Sequence, residues 1–159
     1  MPSDSDKRPL EFRCIDDLVR DVDILASRGY EQKGNWDLAQ TCMHINEWMR
    51  YPMDGFPQAP APIRIMLWLM KKTVGPGMKK KILAEGFSSG MMTDPKTVPS
   101  AGDISEEEAV RKLRETAIRL SEYQSEMHAS PLFGEMDVET ALKVGLMHAA
   151  HHLGFLHPR

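Results

Sequence analysis

Apolar residues recur along this chain at three- and four-residue intervals, the spacing that gathers side chains on one face of an α-helix. The first stripe is Phe12, Ile15, Leu18, Val19, Val22, Leu25 and Ala26, and Gly29 follows as a C-terminal stop. A second helix begins near Asp37, with Asn35 or Asp37 as its cap, and carries Leu38, Cys42, Ile45 and Met49 on one face before Pro52 and Gly55 end it. A third opens at Ser105-Glu106-Glu107-Glu108, a capping box in which the serine caps the first turn and Glu108 reaches back. The three carboxylates also suit the positive end of the helix dipole. Its stripe is Ala109, Leu113, Ala117, Leu120 and Met127. The last helix runs from Val138 to Phe155, with Leu142, Leu146, Ala149, Leu153 and Leu156 aligned.

Between the second and third of these helices the pattern changes. Gly55 to Pro62 is punctuated by proline and glycine. Ile63 to Val74 predicts a short buried helix, closed by Gly75-Pro76-Gly77. Gly86 to Gly102 reads as loop, and so long an irregular stretch is either functional or wrapped over the remainder. No strand-like alternation of useful length, internal repeat or heptad pattern stands out. Four long amphipathic helices in one domain, spanning residues 1–159, predict an all-α four-helix bundle with a long irregular insertion.

Composition narrows the class further. A chain of 159 residues can bury a real core, and 42% hydrophobic with 27% charged residues excludes wholesale disorder. The formal charge of -3 gives no reason to expect a nucleic-acid partner, and Lys79-Lys80-Lys81, with Lys71 and Lys72 upstream, reads as a solvated surface. The longest apolar run, Ile65 to Met70, is far short of the ~20 residues that cross a bilayer. Met1 to Arg13 lacks an apolar signal core. Cys14 and Cys42 form no CxxC pair and read as small core residues. These features lead to the expectation of a soluble, cytoplasmic protein in a reducing compartment, with no membrane partner. The many methionines fit helical core packing better than a copper site.

Histidines carry the candidate chemistry. His148, His151, His152 and His157 crowd the chain's end. Each helical residue turns ~100°, so His148 and His152 stand ~40° apart with β-carbons ~5–6 Å from each other. Two imidazoles so placed can converge on one divalent ion at ~2.0–2.1 Å. Both flank the buried stripe, where a groove between helices would lie, whereas His151 points away, toward the surface or an interface. A third ligand has one source in another core helix, His44, on the flank of its stripe beside Thr41 and Trp48. Bundle metal sites draw their ligands from facing helices. His44, His148 and His152 thus form a candidate three-histidine site with open coordination positions, the mark of a catalytic metal. The competing reading is that these rings are polar packing or surface groups. Glu47 is a further candidate ligand or general base, and Trp36, Trp48 or the Gly86–Gly102 loop would wall the pocket. The chain has no Glu-x-x-His pair for a di-iron bundle, no Cys-x-x-Cys-His, no Gly-x-Ser-x-Gly and no phosphate loop.

The stretch Gly34-Asn35-Trp36-Asp37-Leu38-Ala39-Gln40-Thr41-Cys42-Met43-His44-Ile45 resembles the second-helix signature of the DinB-like superfamily, a tryptophan followed eight positions later by a metal histidine. His148-Ala149-Ala150-His151-His152-Leu153 is similar to that superfamily's last-helix His-x-x-x-His. Tyr51 to Pro57 and Ser130-Pro131-Leu132-Phe133-Gly134 resemble a mainly bacterial branch of unknown function. The resemblance implies a four-helix bundle, often a homodimer, with nickel or zinc held by His44, His148 and His152. Characterised relatives in that superfamily include thiol-dependent S-transferases and a mycothiol-dependent maleylpyruvate isomerase. Relative to those enzymes Gly55 to Gly102 is an insertion, and no thiol-cofactor residue can be matched to it. Two functions are therefore expected to compete: a metal-dependent thiol S-transferase or hydrolase acting on a small molecule, and a non-catalytic bundle serving as a dimer or binding module with a vestigial site.

Overall fold

The computed structural model describes residues 3–88 and 97–159. Within them lie six α-helices and one small antiparallel sheet, in the order α1 (Ile15–Arg28), β1 (Tyr30–Gln32), α2 (Leu38–Asp54), α3 (Ala61–Thr73), α4 (Gly75–Glu85), α5 (Glu106–Ser121), α6 (Val138–Leu153) and β2 (Leu156–Pro158). The chain is all-α in character. The four long helices α1, α2, α5 and α6 pack together, with α1 and α2 each lying against both α5 and α6. Their apolar stripes meet in one core, where Leu18, Leu25, Leu38, Ile45, Leu113, Leu120 and Leu153 are fully buried.

Local chemistry sets the helix ends. Asp37, not Asn35, caps α2: its carboxylate accepts from the Gln40 N–H at 2.8 Å, and the Gln40 side chain accepts from the Asp37 N–H at 3.2 Å. Pro52 lies inside α2 rather than ending it, and the turn comes at Gly55, whose φ of 103° only glycine adopts easily. Ser105 caps α5 by accepting from the Glu108 N–H at 3.2 Å. The Glu108 carboxylate turns instead to Lys112, 2.9 Å away, so the expected return arm is absent. The helix stops at Ser121, leaving Met127 in the following connection, where it still packs on the core. Asp137 caps α6 through the Thr140 N–H at 2.8 Å.

Several expectations are corrected. Ile63 to Val74 forms a helix, α3, but an exposed one: Ile65 is 68% and Trp68 54% accessible. Periodicity reports that a face is apolar, not that another element covers it. Gly75-Pro76-Gly77 opens α4 instead of closing α3, because proline in a first turn gives up an N–H that has no helical partner anyway. Gly75 is required there, since a β-carbon would collide with the Leu132 carbonyl oxygen. Cys14 is exposed ahead of α1, while Cys42 is buried and its thiol is pushed well above the ordinary range by desolvation. The paired strands are too short for a period of two to register, with Tyr30 opposite Pro158 and Gln32 opposite Leu156.

That small sheet matters for the site. It pins the chain after α1 to the chain after α6, and the Lys33 N–H continues the pairing to the Phe155 carbonyl at 2.9 Å. The segment leading into α2 is thereby laid beside the end of α6. A second tie is Arg8, which grips both Asp21 oxygens at 2.7 Å and reaches the carbonyls of Leu156 and Leu153. Among the described residues no helix is long and apolar enough to cross a membrane.

Candidate metal centre

His44 enters the core from the middle of α2 and is 1% exposed. Its Nδ1 lies 2.7 Å from the hydroxyl of Thr97, itself buried. With the Nδ1 proton donated to that oxygen, Nε2 keeps its lone pair and points the other way. His148 and His152 come from consecutive turns of α6. The His148 Nε2 is 3.3 Å from the His44 Nε2 and 3.0 Å from the His152 Nε2. One ring nitrogen from each histidine lies within 4.8 Å of the others, so the structure brings all three candidate residues together. Nitrogens ~2.0–2.1 Å from a common ion and ~90–110° apart around it are separated by ~2.9–3.4 Å. The separations from His148 to His44 and to His152, 3.3 and 3.0 Å, fall in that interval, and three imidazoles are a donor set that suits zinc, nickel, copper or iron.

Aromatic rings hold the cluster from the sides. Trp36 stacks on His152 with centroids 5.0 Å apart, and Trp48 meets His148 edge-on at 5.7 Å. Of the groups expected to wall the pocket, Trp48 and the start of the Gly86–Gly102 loop line it, whereas Trp36 packs on His44 and His152 without lining it. Phe87 adds a third ring, 5.0 Å from His148. Burial lowers the His148 and His152 basicity well below the ordinary histidine value, and neighbouring histidines add to the effect. The pair is thus held neutral, the state a metal ligand needs.

His151, expected at the surface or an interface from its helical position, is partly buried beside the cluster, against Phe87 and Lys7. Its Nδ1 lies 3.0 Å from the Phe87 carbonyl oxygen and 3.2 Å from the Lys7 ammonium. Desolvation, then the Lys7 charge, lowers its pKa. His157 is elsewhere, in β2, with Nε2 donating to the Asp6 carbonyl at 2.9 Å. Glu47 does not join the triad: its carboxylate is held by Arg50 at 2.6 Å and accepts from Asn46 at 3.3 Å.

The triad opens into a cavity of about 160 Å³. Its walls are Trp48, Phe56, Phe87, Leu132, Phe133 and Met136. Phe56 belongs to the connection after α2. Leu132 and Phe133 sit on a tight turn, closed by a Ser130–Gly134 bridge and by the Ser130 hydroxyl accepting from the N–H groups of Leu132 and Phe133. Sequence reasoning singled out both segments but gave neither a role, because loop residues carry no periodicity. Phe87 and Thr97 fall in the Gly86–Gly102 loop expected to wall the pocket, but nothing in the sequence marked either residue individually. Of the Gly86–Gly102 loop, residues 89–96 lie outside the described residues.

Fold and site together define a helical protein with three histidines converging at one end of an apolar cavity. The chain belongs to the family described as Protein of unknown function (DUF1569), whose model matches residues 4–159. No curated protein and no solved structure matches.

Proposed function

We propose that this chain is a DinB-like four-helix bundle that holds one divalent ion, nickel or zinc, on His44, His148 and His152, and acts on a small molecule as a metal-dependent thiol S-transferase or hydrolase. The observation that carries the reading is the clustering of three ring nitrogens within 4.8 Å of one another, with the two separations to His148 at ligand-to-ligand spacing. Such an ion supplies Lewis acidity, drawing the pKa of a thiol or water in its open position toward neutrality. The chain's own residues do the remainder. Thr97 orients the His44 ring through Nδ1, Trp36 and Trp48 fix the ring planes, and desolvation keeps His148 and His152 unprotonated. The aromatic walls keep bulk water from the reacting face. A homodimer in a reducing cytoplasm completes the proposal.

Elemental analysis of untagged protein, purified without a metal column, tests it. About one equivalent of a transition metal, or uptake of one on titration, is expected, and His148→Ala with His152→Ala abolishes it. Less than a tenth of an equivalent with no uptake, or uptake that survives the double substitution, returns the triad to polar packing and the protein to a non-catalytic bundle.

A further inference from the structure

We infer that the cavity beside the triad takes an uncharged, ring-sized apolar group, so that the substrate is a neutral aryl or compact alkyl compound rather than a charged thiol such as a peptide thiol. None of the described residues lining it is Asp, Glu, Lys or Arg; away from the histidines its polar side chains are Ser88 and Ser130. The Ser130 hydroxyl already serves two backbone N–H groups. In the metal-free cavity a carboxylate or ammonium would lose its hydration without gaining a counter-charge from any of the described residues, which is strongly unfavourable.

Size points the same way. The space is about 160 Å³, close to the ~150 Å³ apolar cavity that stays dry and binds benzene. Phe56, Phe87 and Phe133 offer ring faces and edges to such a guest. The Trp48 indole N–H is buried without a partner among the described residues, and Trp48 lines the cavity. That N–H has almost no accessible surface, so a guest is held by the aromatic rings rather than by this donor. The inference rests on the proposed metal site only for the direction of the reacting head; the chemistry of the body comes from the walls.

The test titrates benzyl alcohol, benzoate and reduced glutathione into the full-length protein, both stripped of metal and reloaded with zinc, read by tryptophan fluorescence and ligand-observed NMR. Benzyl alcohol is expected to bind one site in both forms. In the stripped form benzoate binds at least tenfold more weakly and glutathione shows no saturable binding. Val144→Phe, which fills the cavity from α6, weakens benzyl alcohol at least tenfold while zinc uptake persists. Leu132→Trp, on the turn outside the helices, does the same if Val144→Phe fails to fold. Benzyl alcohol binding that survives both substitutions, or stripped protein that binds benzoate or glutathione as tightly, overturns the inference. If zinc uptake is absent yet benzyl alcohol binds as described, the apolar site stands and only the metal reading falls.

Discussion

Thr97 does for His44 what no helix can, fixing which ring nitrogen faces the cluster. Replacing it by the isosteric valine leaves the core volume nearly unchanged but removes the hydroxyl that partners Nδ1. Metal affinity is expected to drop about 10- to 100-fold, the usual cost of losing an outer hydrogen bond to a ligating histidine. Competition with a zinc-chelating dye measures it, and an unchanged constant would show that Thr97 does not position the ring. The histidines also make a pH prediction for the metal-free protein. His148 and His152 have folded-state pKa values depressed below 6.5, in surroundings that include His44, His151 and Lys7. Below pH 6.5 the unfolded chain binds protons that the folded one refuses. Their contribution to stability is therefore present above that pH and lost as pH falls through the range beneath it. Urea unfolding at pH 7.5, 6.5 and 5.5 should show this decline, and the His148→Ala, His152→Ala protein should show a flatter one. At this scale the sequence disclosed the triad, because a four-residue spacing on a helix is a geometric statement. It misjudged Glu47, whose partner Arg50 lies one turn further along the same helix and claims the carboxylate.

Helix identity could be read from the periodic stripes, and so could the Asp37 and Ser105 caps. What could not be read was which element covers which face. The part-buried Arg8–Asp21 pair shows the consequence: residues far apart in the chain join the N-terminal segment and α1 to carbonyls at and just beyond the end of α6. Asp21→Asn strands a largely buried guanidinium and should destabilise the protein by about 3 kcal/mol. Chemical denaturation checks this, and a loss below about 1 kcal/mol would show the pair to be ornamental. α3 supplies the opposite case. Ile65 looks like a core residue by pattern yet is 68% exposed. Ile65→Ala should change stability by no more than about 0.5 kcal/mol, whereas Leu120→Ala, in the fully buried α5 stripe, should cost about 2–5 kcal/mol. Equal costs would mean that α3 is covered in solution.

Across the whole molecule, the site is assembled by closure of the chain on itself. His44 arrives from α2, the histidine pair from α6, and the β1–β2 ladder lays the Trp36 segment beside the pair. Thr97 and Phe87 then seal the cluster from the segment between α4 and α5. Sequence spacing could place each histidine on a helix flank, but the meeting of those flanks depends on how α2 packs on α6, a property of the folded core. The cavity walls come from connections, where no period announces a buried side chain. X-ray absorption spectroscopy of the zinc-loaded, untagged protein reads the convergence of the three rings directly. The expected spectrum shows about three imidazole nitrogens at ~2.0–2.1 Å, falling to about two in His44→Ala; a spectrum with no imidazole scattering, or one that His44→Ala leaves untouched, would contradict the proposed centre.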